Sequence, residues 1–235
     1  MADRCCRVES GNDRMRAMAL VAGGLIMALA GCAGRGPDGP VSGVAEAAQM
    51  QPEAGIAQAW TYRNPSMNPR SYSRVLIDPA QVYHGAEADF DDFSPAEVER
   101  FAQMLPDETR KALQGSYPIV SKPGPDVIRL RFTLVAVERT VPYAAKATRI
   151  IPIGAVLNLG KAAAGEGGSL TGSLTILLEA FDSQTGKLLV ASQRRVSPGA
   201  FDLQATLGTE ETAMAVAKQV AAQVKQRFDA IRAGS

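Results

Sequence analysis

Val127-Ile128-Arg129-Leu130-Arg131-Phe132-Thr133-Leu134-Val135-Ala136 alternates: Ile128, Leu130, Phe132, Leu134 and Ala136 fall on one side, Arg129, Arg131 and Thr133 on the other. Successive side chains of an extended chain point to opposite faces, so this period of two marks a strand over 127–139 with one face toward a core. Two further alternating runs, 170–181 and 188–196, flank Asp182-Ser183-Gln184-Thr185-Gly186-Lys187. The late glycine suits the left-handed position of a hairpin turn, so the two runs are predicted to pair antiparallel.

Upstream, residues 74–83 carry Val75, Leu76, Ile77, Val82 and Tyr83 around Asp78-Pro79. A proline inside a strand points to a sheet edge or a bulge. Ser94, Pro95 and Glu97 then spell a capping box with proline at the first helical position, and Phe93 with Val98 suits the accompanying staple. Val98, Phe101, Ala102, Leu105, Thr109, Ala112 and Leu113 recur at helical spacing. Pro106 within that run is expected to bend or break the helix. A strand-helix-strand order predicts a right-handed crossover between parallel or neighbouring strands. The last helix is expected to be capped by Thr209, with Glu210 and Glu211 in its first turn and a stripe of Ala213, Val216, Ala217, Val220, Val224, Phe228 and Ile231.

This order defines an α+β fold: a two-layer sandwich with a mixed four-stranded sheet and two main helices packed on one face. The other sheet face, with Arg129, Arg131, Thr171, Ser173 and Thr175, is expected to meet water. Trp60, Tyr62 and Tyr72 are read as an extended arm whose aromatics pack on the domain.

The N-terminal region reads as an address. Arg14 and Arg16 precede an apolar run, 17–29, that is well short of the roughly 20 residues of a spanning helix. Leu29-Ala30-Gly31-Cys32 then forms a lipobox, at which a lipoprotein signal is cut and its cysteine takes a diacylglycerol. Acidic Asp3, Glu9 and Asp13 do not suit a signal, so Met15 is the expected start of it. Residues 1–31 are the signal, 32–59 the lipidated cysteine with a flexible Gly-, Ala- and Pro-rich tether, and 60–235 one periplasmic α+β domain. Removal of the signal leaves Cys32 as the only cysteine, so no intramolecular disulfide is expected. Acyl chains make attachment effectively permanent. Ala33, which lacks the acid that retains lipoproteins at the inner membrane, predicts the periplasmic face of the outer membrane.

The chemistry-bearing residues are sparse. A formal net charge of +1 gives no footprint for nucleic acid. His84 is the only histidine, which leaves Ser or Cys nucleophiles without an evident base and rules out a typical zinc set. Asp89, Asp91 and Asp92 lack the glycine and the terminal glutamate of a calcium loop. Residues 154–161 miss the phosphate-loop spacing by one, and Ala162 stands where the metal-binding hydroxyl belongs, so no nucleotide site is expected. A hydrolase pairing Asp78 with Asp89, Asp91 or Asp92 is the residual enzymatic reading. No metal and no cofactor are expected.

Residues 140–168 combine Ile150, Ile151, Ile153, Val156, Leu157 and Leu159 with Pro142, Pro152, Gly154 and Gly160, an apolar content high for a connection. The segment reads either as a short helix closing the core or as a partner-binding flap. The resulting expectation is a non-enzymatic, lipid-anchored envelope protein, an accessory or assembly subunit binding another envelope protein. The alternative is a module that holds a small envelope ligand (lipid, glycan or peptidoglycan fragment) between the sheet and that flap.

The lipobox, Val75-Leu76-Ile77-Asp78-Pro79, Pro123-Gly124-Pro125, the apolar Pro- and Gly-broken middle, Asp182-Ser183-Gln184-Thr185-Gly186 and the last helix together resemble bacterial lipoproteins of the domain of unknown function 3313. That resemblance implies a lipoprotein and transfers no catalytic residue. The element order is also similar to small α+β domains of envelope assembly lipoproteins, an analogy of fold.

Overall fold

The computed structural model describes residues 37–44, 46–90, 92–140, 172–199 and 207–234. In chain order its elements are β1 (Gln51–Pro52), β2 (Ala59–Arg63), β3 (Arg74–Ile77), β4 (Gln81–Val82), α1 (Pro95–Leu113), β5 (Val127–Glu138), β6 (Ser173–Asp182), β7 (Leu188–Val196) and α2 (Thr209–Ala233). Short 3₁₀ turns occupy Ala47–Gln49 and Pro69–Ser71. The fold is α+β with one mixed, open sheet in the order β1-β2-β7-β6-β5-β3, β4 also pairing with β5.

The alternating stretch becomes an interior strand of the sheet. β5 pairs antiparallel with β6 and parallel with β3 and β4, as the crossover through α1 requires. Asp78-Pro79-Ala80 divides the edge into β3 and β4. The free Ala80 N–H is donated to Gln103 Oε1 of α1 at 3.4 Å, which holds the break against the helix. The 182–187 turn closes β6 onto β7 with Gly186 at φ +71°, as its position predicts.

The sheet is wider than the expected four strands. Residues 59–63, read as an arm, pair with β7 along their whole length, and Gln51–Pro52 adds a further edge piece. The alternation Ala59-Trp60-Thr61-Tyr62-Arg63 is that of a strand, but Asn64 and Pro65 cut it to one too short to be distinguished from an extended arm.

Both helices pack on one sheet face. The core there joins Phe101, Leu105 and Leu113 of α1 with Phe132, Leu134 and Ile176 of the sheet and Val216 and Val220 of α2. The capping box at Ser94 is formed, Ser94 Oγ accepting from Glu97 N and Glu97 Oε2 from Ser94 N at 2.9 Å. Pro106, expected to bend or break α1, does not break it. The helix runs on to Leu113, because burial of Phe101, Leu105, Pro106 and Leu113 offsets a penalty of about 3 kcal/mol for proline in a helix interior. At α2 the N-cap is Gly208, not Thr209, whose hydroxyl instead accepts from Thr140 N at 3.3 Å.

The other face is wet only in part: Arg129 is half-exposed, Ser173 and Thr175 are buried, Thr171 lies outside the described residues, and part of the stretch read as a tether packs there. Val41, Val44 and Met50 pack against Val135, Leu177 and Ala191, making a third, partial layer. Gln193, fully buried, brackets this cover: its amide donates to Gly39 O at 2.9 Å and accepts from Val41 N at 2.8 Å. Thr133, Ser173, Thr175 and Glu179 are buried beneath or beside it. Three apolar side chains are too few to fold a free segment, but they dock readily on a sheet that already exists.

Thr140 and Gly172 end the strands between which residues 141–171 run. Thr140 Oγ1 bonds Thr212 Oγ1 at 2.6 Å and accepts from Gly172 N at 3.1 Å. A Cβ on Gly172 would lie 2.3 Å from the Glu138 carbonyl oxygen, so only glycine fits there.

Candidate functional site

The site follows from widths. Strands lie about 4.8 Å apart and helices pack about 8–10 Å apart, so two helices cover roughly four strands. α1 lies over β4 and β5 and α2 over β6, which leaves the helix-side face of β7 and β2 without a helical cover. A groove of about 540 Å³ opens there, floored by Leu130, Ile176, Leu178, Val190 and Val196 and walled by Val220, Val224 and Phe228 of α2. That volume lies within the roughly 300–1,000 Å³ typical of ligand sites.

Its polar lining has one sign. Among the described residues Arg63, Arg70, Arg194, Arg227 and Arg232 line the groove and no carboxylate does. Arg194 is taken by Glu53. Arg232 donates to Ser116 O at 2.9 Å and lies 4.2 Å over the Tyr117 ring. Arg63, Arg70 and Arg227 have no ion-pair partner among the described residues and are exposed. Two tyrosines on the rim turn their hydroxyls outward: Tyr72 donates to Asp182 at 3.0 Å and Tyr117 to Asp229 at 2.8 Å. Burial and then the Asp182 bond push the Tyr72 phenol up to about 12, and burial followed by the Asp229 bond raises that of Tyr117, so both stay donors at neutral pH.

The groove is polar at one end. Arg63 sits opposite Val190, which pairs with Ala180, which pairs with Leu130. The Arg70 guanidinium lies beside Gly234, which closes α2 at φ +88°. Thus Arg63, Arg70, Arg227 and Arg232 gather where the C-terminal end of α2 meets the Leu130 end of the floor. The interior runs toward Ile176 and Val196.

On the opposite face Arg131 stacks over Phe181 at 4.6 Å and lies 3.7 Å from Glu179 and 3.9 Å from Asp78. Burial raises the Glu179 carboxyl, the Arg131 charge opposes that rise and Glu46 adds to it. Arg129 Nε donates to both Asp78 oxygens, at 2.9 and 2.7 Å. Asp78 is therefore committed to arginines rather than to a second carboxylate. His84 is exposed. Asp89 lends its backbone to β5, Asp92 lies 3.9 Å from Arg139, and Asp91 is outside the described residues. No group of three metal-capable side chains occurs among the described residues, and no described helix is long and apolar enough to cross a membrane.

Leu29, Ala30, Gly31 and Cys32 lie outside the described residues, as do Ile150, Ile151, Ile153, Val156, Leu157 and Leu159. Among the described residues the groove is bordered by α2 and by strands β7 and β2, and four of its arginines, Arg63, Arg70, Arg227 and Arg232, were not singled out in the sequence. They are scattered from 63 to 232, with no local motif. The apolar stripe of α2 continues to Phe228 and Ile231, which line the groove.

Fold and groove together define a mixed-sheet α+β domain with a ligand-sized apolar cleft. The chain belongs to the family described as Protein of unknown function (DUF3313), which it matches over residues 40–224. The match begins beside Val41, the first buried residue among those described. No curated protein matches the chain. Among solved structures it is similar to the PelC dodecamer from Paraburkholderia phytofirmans (TM-score 0.39, 8% identity, 71% of this chain and 96% of that one). A point variant of that dodecamer gives TM-score 0.38 and 9% identity over 71% and 95%. A likeness this distant carries no functional argument.

Proposed function

We propose that this protein is a non-enzymatic binding module of the bacterial envelope, held at the periplasmic face of the outer membrane by a lipid on Cys32, that takes a small envelope ligand in the groove beside α2. The observation that carries the reading is the groove itself: a mostly apolar floor and walls, a volume of about 540 Å³ and, among the described residues, a rim without carboxylates. Water gains little in such a cleft, and an apolar ligand gains the burial. The lipobox supports the anchor. Between Cys32 and Gly39 the chain spans at most about 25 Å, so the domain would stay close to the bilayer.

The test is titration of the full chain with N-phenyl-1-naphthylamine, a neutral apolar fluorophore. Saturable enhancement that is lost on Ser192→Trp, which fills the groove from β7, supports the reading. Enhancement unaffected by Ser192→Trp in a folded protein overturns it. Incorporation of labelled palmitate that disappears in Cys32→Ser tests the anchor.

A second reading, an accessory subunit docking an envelope protein through Ile150, Ile151, Ile153, Val156, Leu157 and Leu159, is supported by the fixed ends of that segment at Thr140 and Gly172. Exchange of Ile151 and Leu157 for Ser would then abolish partner capture by crosslinking in the envelope.

A further inference from the structure

We infer that the groove selects one kind of amphiphile: a single acyl chain carrying a phosphate monoester head, the chain lying along α2 and the phosphate held by Arg63, Arg70 and Arg227. The inference rests on the binding reading above and deepens it. Three observations carry it.

The first is charge. Among the described residues five arginines and no carboxylate line the groove, and three of those arginines have no ion-pair partner there. Arg70 and Arg232 stand where a helix C-terminus favours cations on its own account. Arg63, on a strand, has no such reason, and Arg227 stands well over a turn before the end of α2. Guanidinium forks match phosphate oxygens two at a time, and a phosphate monoester brings about −1.5 to −2 of charge to such a cluster, more than a carboxylate can.

The second is polarity along the length. Arg63, Arg70, Arg227 and Arg232 gather at one end, while toward Val196 and Val220 the interior is apolar apart from Arg194, which stands opposite Ile176 and is held by Glu53. From Val220 to Ile231 the groove follows α2 for about 16 Å, at 1.5 Å per residue. That is the shape of one tail with one head.

The third concerns the competing occupant from within the chain, residues 141–171. This segment carries Lys146, Arg149 and Lys161 against the single acid Glu166. Its net positive charge opposes seating on a rim of arginines, and an anionic amphiphile has the complementary sign.

The test uses the full chain carrying Cys32→Ser, so that no acyl chain of its own competes, titrated calorimetrically below the micelle threshold. The ligands are 1-palmitoyl lysophosphatidic acid, 1-palmitoyl lysophosphatidylcholine, palmitate and glycerol-3-phosphate. Lysophosphatidic acid is expected to bind one to one and at least roughly tenfold tighter than the other three. Arg63→Gln with Arg227→Gln should weaken it by roughly tenfold or more, as loss of charge-assisted bonds implies, and weaken lysophosphatidylcholine, whose phosphodiester carries a single charge, by less. Both sites are exposed, so the double variant should fold, which circular dichroism and a thermal melt would check. Equal affinity for the phosphocholine ligand, lost on Ser192→Trp, would overturn the head-group inference and leave the groove as a binding site. No loss of any ligand on Ser192→Trp would overturn both. Palmitate as tight as lysophosphatidic acid would replace phosphate by carboxylate and refute the stated head group.

Discussion

The two faces of the sheet are closed by different means. On one, α1 and α2 bury Phe132, Leu134 and Ile176 in a continuous apolar core. On the other, a short stretch around Val41, Val44 and Met50 lies over a face that holds buried Thr133, Ser173, Thr175, Glu179 and Gln193. The helical face supplies most of the stability and leaves an opening at its far side. The second face gains less from burial and is sealed by specific polar contacts, Gln193 above all. Strength without full cover on one side, and cover without much strength on the other, place ligand capacity on the first.

The comparison breaks most directly in the helical core. Phe132→Ala removes a fully buried ring and should cost about 3–5 kcal/mol of unfolding free energy, read by denaturant titration. A cost below about 1 kcal/mol would mean that this core does not dominate. On the second face, Gln193→Ala leaves the Gly39 carbonyl and the Val41 amide without their partner. The expected loss is about 1–3 kcal/mol, with faster hydrogen exchange confined to residues 39–50. If exchange quickens across the helical core instead, the two faces are one cooperative unit. Ser94→Ala should cost about 1 kcal/mol through the cap of α1.

Proton linkage separates the faces as well. Bonds from Arg74 and Ser73 hold the Asp126 carboxyl well below the usual carboxylate range. Its contribution is therefore present above the unfolded carboxylate pKa and lost as pH falls through the depressed one. Asp126→Asn should flatten the acid limb of a melting-temperature profile. Glu179 has the opposite sign: burial raises its pKa, so its protonated form favours the fold and stability declines as pH rises through the raised value. Glu179→Gln should remove that decline; a decline that persists would place its origin elsewhere. The smallest effect is expected at the groove rim, where Arg63→Gln with Arg227→Gln should change stability by no more than about 0.5 kcal/mol per site.

Most of the framework was legible because it rests on local signals. The period of two in β5, β6 and β7, the capping box at Ser94 and Gly186 in the hairpin each specify their element without help from distant residues. What was missed depends on tertiary context. Residues 41–50 contain too few apolar side chains to announce a packed segment, and only the finished sheet gives Val41 and Met50 a surface. Ala59–Arg63 is a strand because β7 offers an unpaired edge. The same omission hid part of the groove: β7 was expected, but β2 beside it was not, and with β2 went the wall that carries Thr61 and Arg63. Pro106 erred the other way, a strong local breaker overruled by the burial around it.

The knot of Thr140, Thr212 and Gly172 works as a socket. It fixes where the chain leaves β5 and where it enters β6, so what runs between those points can change without disturbing the sheet. Closing a loop costs only about 0.6 kcal/mol more for each doubling of its length. The segment between these two anchors is thus a place where related chains can diverge, and where an experimenter can exchange one insert for another, while the same scaffold stands.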